Sequence, residues 1–291
     1  MPSMSLFLSQ LFNGLAMGLL LALISTGLTI IYGTLGVVNF AHGAMLVVGA
    51  YAGYSAYGLT ESFVAAVVIG SLVSLVIGLI IERGLMRMYY SRPPEDQILV
   101  TFGIGIILVE IVRSIYGGIS LSMPTPDWGQ GIAHIGSLIY PLYRLQALAI
   151  AAGTLGVLYY VLYRTSLGLI VRAGIEDAQM VSVLGINVKR TFLLVFGLGA
   201  MAAGYAGVID SPIVTLSPDM GSRVLVDSFV VVVIGGVGSF PGAIVGGIIA
   251  GEILSLTSIF NPAYSHVMLF VAMALVLVFR PQGLMGQEGR E

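Results

Sequence analysis

The solvent this chain is built for constrains its fold more than anything else. Seven apolar runs, at about 6–31, 40–58, 62–82, 97–116, 142–163, 191–212 and 263–279, reach the roughly 17–25 residues that a helix needs to cross a bilayer. Lipid offers no water to stray backbone N–H and C=O groups, so such runs must close their hydrogen bonds within helices. A further stretch, 223–259, is apolar but is interrupted by Gly235, Gly236, Gly238 and Pro241. It reads as two short spans meeting at Ser239-Phe240-Pro241, or as a re-entrant pair. The expected fold is therefore all-α, a polytopic transmembrane bundle of about 8–9 passes including the broken pair at 223–259, formed as one domain over 1–291.

Composition narrows the function. Only 9% of residues are charged and the formal net charge is -2, so there is no basic face to neutralise phosphates and nucleic acid is not an expected partner. The chain has no cysteine, which excludes disulfides and thiolate chemistry. His42, His134 and His266 are too scattered for a metal site, and no cofactor is expected. The first apolar run has no preceding Lys or Arg and is about the length of a full span, so it reads as a membrane helix and not as a cleaved leader.

Direction follows from the basic residues. Arg83, Arg87 and Arg92 share one loop, Arg164, Arg172, Lys189 and Arg190 another, and Arg280 and Arg290 lie in the tail. Placing all three on the cytoplasmic side requires an even number of crossings between Arg190 and Arg280. Separate passes at 223–238 and 240–259 satisfy this, and a merged one does not. The expectation is nine passes, or seven plus a re-entrant hairpin, in a bacterial-type inner membrane, with the N-terminus outside and the C-terminus cytoplasmic. The external loop 117–141 shows no strong pattern.

Small residues recur every fourth position at Gly14/Gly18, Gly49/Gly53, Gly70/Ser74/Gly78, Gly199/Ala203/Gly207, Gly242/Gly246/Ala250 and Gly247/Gly251. That spacing keeps them on one helix face, where backbones can approach closely. Ionisable residues inside spans are costly. Glu110 and Arg113 can pair at i,i+3, and Arg223 and Asp227 at i,i+4. Glu252 has no local partner, although His266 on the next span is a candidate. One uncertain carboxylate makes a thin proton relay.

The chain cannot hydrolyse ATP. A P-loop needs Gly-x-x-x-x-Gly-Lys-Ser/Thr, and its sole lysine, Lys189, is followed by Arg190. It is expected to be no enzyme, and if ATP powers it the ATPase is another chain. That partner would dock on the largest cytoplasmic element, 164–190. On a helix through 172–185, Arg172, Glu176 and Gln179 share a face, and Gly185 suits the left-handed position that ends a helix. Such a helix could lie on the headgroups or insert into a partner's cleft, but its polar face lacks the basic residues expected for simple lipid binding. Asn39 and His42, with Phe40 and Gly43, sit at the start of the second span. They are candidates to line or gate a path, with Asp227 and Glu252 as further path candidates. Capping or packing is the alternative for Asn39 and His42.

Gly27 through Tyr51, with Asn39-Phe40-Ala41-His42-Gly43 at its centre, closely resembles the signature of branched-chain amino acid ABC-transporter permeases of the LivH type. Arg172-Ala173-Gly174-Ile175-Glu176-Asp177-Ala178 through Leu184-Gly185-Ile186-Asn187 is similar to that family's coupling loop, and Val231 through Ala243 to a third family motif. Two features depart from the general coupling pattern: Asp177 stands in place of its first alanine, and the spacing from Ala178 to Gly185 is longer. The resemblance implies an ATP-driven importer for aliphatic amino acids. The chain would be one permease subunit, joined by a second related permease, two ATP-binding subunits and a periplasmic or extracellular solute-binding protein, with surrounding membrane lipid. It also implies coupling roles for Arg172, Glu176, Asp177, Ala178, Gly185 and Asn187. A permease for urea or another small amide or amino acid, a stand-alone secondary transporter or channel, and a non-transporting scaffold are the rival readings.

Overall fold

The structure is a computed structural model that describes residues 4–286 except 136, 137, 177 and 184. Its elements are α1 (Met4–Leu35), α2 (His42–Thr60), α3 (Phe63–Gly84), α4 (Pro94–Tyr116), β1 (Ile132–Ile135), β2 (Leu138–Pro141), α5 (Leu142–Arg164), α6 (Ser166–Glu176), α7 (Ala178–Val183), α8 (Val188–Asp210), α9 (Met220–Gly235), α10 (Phe240–Phe260) and α11 (Ser265–Phe279), with short 3-10 turns between some of them. Among the described residues, seven helices (α1, α3, α4, α5, α8, α10 and α11) are long and apolar enough to cross a membrane. Two further apolar helices are not among these: α9 has only 16 residues, and α2 carries three tyrosines and four glycines in 19.

Local chemistry sets the boundaries. Gly36, at φ 66°, stops α1 in the left-handed conformation and donates its N–H to the Tyr32 carbonyl, the single-bond form of a helix stop. Ser62, Asn187 and Ser239 cap α3, α8 and α10 by accepting from N–H groups three residues on. Glu95 and Asp96 sit in the first turn of α4, where the helix dipole favours negative charge. The broken pair resolves at 236–239: Gly236 and Gly238 take φ 107° and 79°, and α9 and α10 then pack antiparallel, with Gly235 against Gly242 and Gly246 against the Val231 carbonyl.

The axis of the bundle is α1. Of its apolar window 83% is buried, against 11% for α11. It packs mainly on α10 and α8, while α8 also packs on α3 and α2. The small-residue faces meet one another. A Cβ on Gly18 would lie 2.8 Å from the Gly247 carbonyl oxygen, and one on Gly27 would lie 2.7 Å from that of Gly199. In the same way a Cβ on Gly49 would meet the Gly204 Cα, and one on Gly70 the Gly49 carbonyl oxygen. Helices surrounded by lipid gain little by burying larger apolar groups, so close backbone approach supplies much of their attraction.

The segment 117–141 holds more order than its sequence suggests. β1 and β2 form an antiparallel hairpin with His134 opposite Ile139, and Leu121 bridges to Leu216. Trp128 packs on Phe63 and Tyr143. This hairpin is the described exception to an otherwise helical chain.

Candidate functional site

The polar segment expected to form one helix from 172 to 185 begins its helix earlier, at Ser166. It comprises α6 and α7, with Asp177 outside the described residues. The side chains of Glu176 and Ala178 also lie outside what the structure describes. Gly185 stands at φ 82°, and Ile186 donates to the Val181 carbonyl at 3.3 Å. That six-to-one bond across a left-handed glycine is the Schellman stop, so the helix ends where the sequence places its end. Val181 is buried, while Met180 and Val183, three residues apart on α7, are exposed, as is Leu169 on α6.

Arg172 ties this element to the bundle. Its guanidinium donates to the Leu162 carbonyl at the end of α5 and stands over the Tyr163 ring at 5.1 Å. Tyr163 stacks on Tyr159 at 4.7 Å, and both rings touch Phe240 in the first turn of α10. Gly168 allows α6 to fold tightly against α5, since a Cβ there would strike the Leu162 carbonyl. A continuous set of contacts thus runs from α6 through Arg172 and two tyrosines to the start of α10, the helix most closely packed on α1. Sequence reasoning marked Arg172 and passed over Tyr159, Tyr163 and Phe240. An aromatic pair at i,i+4 in the last turns of a span was the available signal.

A second junction at this end was also missed. Glu82, in the last turn of α3, is fully buried. Arg87 donates to its Oε2 at 3.1 Å and Tyr90 to its Oε1 at 3.3 Å. Burial pushes the Tyr90 hydroxyl well above the usual tyrosine range, and the neighbouring Glu82 carboxylate adds to the rise, so it remains a donor. Arg87 also reaches the Lys189 carbonyl at 3.5 Å, joining the 83–92 loop to the start of α8. The tail completes this end of the bundle: Leu284 and Met285 donate to the Ile234 and Gly235 carbonyls, both at 2.9 Å. All three basic segments used to infer direction thus gather at one end.

The start of α2 lies deeper than the sequence suggests. Residues 36–41 turn back beside α1, and the His42 ring bonds the Ile24 carbonyl at 2.9 Å through Nε2. Ile24 lies eleven residues before the end of α1, about 16 Å along the helix. Irregular backbone at that depth must find its partners within the protein, and it does. Thr101 of α4 accepts from the Phe40 N–H at 3.1 Å, and its hydroxyl, 2.9 Å from the Gln97 carbonyl of its own helix, also lies 3.3 Å from the Val38 carbonyl. Asn39 accepts from the Ala41 N–H at 3.0 Å. Asn39 and His42 are fully buried, and their polar groups hold this turn. His42 Nδ1 has no partner among the described residues. Gly43 meets the backbone of Gly221, so the first turns of α2 and α9 cross inside the bundle, with Phe40 against Phe229 at 5.1 Å.

The span charges pair differently from expectation in two cases. Arg113 bonds Glu110 as expected, at 2.6 Å, and Asp219 at the same distance. Asp227, however, faces His266 at 3.6 Å and forms no ion pair with Arg223. The i,i+4 partner loses because α11 lies alongside α9. His266 is thereby committed away from Glu252, whose Oε2 has no hydrogen-bond partner among the described residues. Glu252 packs over Gly14, beside Asn13, which accepts from Tyr140 and Arg144 at 2.8 and 2.9 Å. It thus lies beside the junction of α1 with β2 and the start of α5. Among the described residues no cluster could hold a metal ion.

The family model described as the permease component of branched-chain amino acid transport systems matches residues 10–277. A Salmonella typhimurium protein, high-affinity branched-chain amino acid transport system permease protein LivH, is 32% identical over 97% of this chain and 96% of its own. The corresponding Pseudomonas aeruginosa permease protein, BraD, is 29% identical over 99% and 98%. The ribose import permease protein RbsC of Escherichia coli is more distant, at 22% identity over 93% and 84%.

Proposed function

From the premise that this chain belongs to the permease family of branched-chain amino acid transport systems, we propose that it is a transmembrane subunit of an ATP-driven importer of aliphatic amino acids. The observation that carries the reading is a likeness extending end to end: 97% of this chain aligns to 96% of a branched-chain amino acid permease.

In this reading two ATP-binding subunits grip α6 and α7 from the cytoplasm, and the exposed Met180 and Val183 enter a cleft on the partner. Glu176, Asp177, Ala178 and Asn187 complete the contact surface, and Gly185 fixes its length. ATP-driven closure moves α6, and the Arg172–Tyr163–Phe240 contacts carry the movement into α10 and α1. A second, related permease supplies the other half of the path, and an external solute-binding protein delivers substrate. The path runs by the crossing of α2 and α9, with Phe40 and Gly43 at its wall. Asn39 and His42 hold that wall in place, and Asp227 and Glu252 lie further along. Such an apolar wall passes a small zwitterion without retaining it, which leaves selectivity mainly to the binding protein. The N-terminus lies outside and the C-terminus in the cytoplasm, with nine passes through a bacterial-type inner membrane.

Reconstitution in liposomes tests the assignment. Leucine uptake should require ATP, the ATP-binding subunits and the binding protein together, and uptake by this chain alone would overturn it. Uptake of urea but not leucine would keep the machine and replace the substrate. Because the chain lacks cysteine, one cysteine introduced at position 177 can be labelled without background, and labelling from outside would reverse the orientation.

A further inference from the structure

Beside the Glu82 junction lies a cavity of about 340 Å³ lined by Arg83, Arg87, Asn187, Lys189, Arg190 and Leu193. Four of these six side chains are cationic, and one carboxylate, Glu82, is bonded to Arg87. The amino end of α8 opens here with Lys189 and Arg190 in its first turn and no acidic residue there. A helix start already carries partial positive charge and disfavours cations, so this arrangement concentrates positive potential with too little protein charge to balance it. Arg87 Nε is buried with no partner among the described residues. The cavity also has a fixed depth. Arg83 and Arg87 fall within the candidate span Phe63–Met88. The two helices that meet here carry exposed apolar residues in the turns above: Val76 and Ile80 on α3, Leu194 and Leu198 on α8. Charge at the end of the bundle with apolar surface directly above is the profile of an amphiphile, and basic pockets between membrane helices suit anionic headgroups.

We propose that this cavity holds the phosphodiester headgroup of an anionic phospholipid, with its acyl chains along the exposed faces of α3 and α8. The site lies against Asn187, where the α6–α7 segment returns to the bundle, so an occupying lipid would brace the base on which the coupling element sits. The inference goes beyond the transport reading and does not rest on it, since binding is measured on the isolated chain.

Phosphate chemistry is shared by lipid headgroups and free phosphate, and the test separates them. Delipidated chain in neutral detergent is titrated separately with phosphatidylglycerol, phosphatidylethanolamine and inorganic phosphate, with bound molecules counted by native mass spectrometry. One phosphatidylglycerol per chain is expected, with the other two probes at least about tenfold weaker. The double variant Lys189→Gln/Arg190→Gln should weaken phosphatidylglycerol about 30-fold, while Lys189→Arg retains it. If the double variant fails to fold, Arg83→Gln at the exposed rim tests the same point with a loss of about fivefold. Equal binding of phosphatidylethanolamine, equal binding of inorganic phosphate, or undiminished phosphatidylglycerol binding by the variants overturns the proposal.

Discussion

Neutralising Glu82 should unfasten the C-terminal end of α3 from the start of α8, and the cost can be worked from its contacts. The carboxylate is fully buried, while the Arg87 side chain bonded to it at 3.1 Å is 33% exposed. In Glu82→Gln the side chain keeps its length and the Tyr90 hydroxyl keeps an acceptor, so the change isolates the charged bond. Such bonds contribute about 1.5–3 kcal/mol. Solvent screening at the arginine moves the expectation to the lower end, about 1–2 kcal/mol. For a chain of this size that corresponds to an apparent Tm lowered by about 2–6 °C. Glu82→Ala also strands the Tyr90 hydroxyl and opens a void, and should cost about 3–5 kcal/mol. The assay is thermal unfolding in detergent followed by the fluorescence of Trp128, the sole tryptophan, which packs on Phe63 and Tyr143. Completing the cycle with Arg87→Gln and the double variant yields the coupling, expected near 1 kcal/mol or above. If the two single changes simply add, within about 0.5 kcal/mol, the pair does not join these elements and the argument fails.

Other substitutions probe the remaining contacts. Gly18→Val places a Cβ 2.8 Å from the Gly247 oxygen and the Ile248 Cα, forcing α1 and α10 apart at about 1–3 kcal/mol; a smaller monodisperse fraction on gel filtration should report it. Gly185→Pro or Glu176→Lys should abolish uptake in the assembled transporter while the chain still inserts, and unchanged uptake would count against the coupling role. Val183→Asp should deplete the ATP-binding subunits that co-purify with the chain without lowering its level in the membrane. Asn39→Ala removes the acceptor for the Ala41 N–H at 3.0 Å, and a loss of about 0.5–2 kcal/mol in thermal stability is expected.

What the sequence determined here is what depends on local runs of residues. Apolar length fixed the solvent and hence the helical class, because lipid leaves backbone groups no other way to pair. Gly185 marked the end of α7, and Gly236 and Gly238 the break before α10, since a left-handed backbone favours glycine wherever it occurs. Four-residue spacing showed which glycine faces would pack. It could not show that Gly18 meets Gly247 or that Gly27 meets Gly199, because a spacing names a surface and not its partner. The tertiary structure alone decided the pairings that cross the chain. Arg87 reaches Lys189, and Asp227 turns to His266 in place of its helical neighbour Arg223, because distances between spans are set by how closely backbones approach. The depth of Asn39 and His42 has the same origin. A polar turn beside an apolar run reads as a surface loop until Thr101 and Ile24, on two other helices, are seen to satisfy it within the bundle.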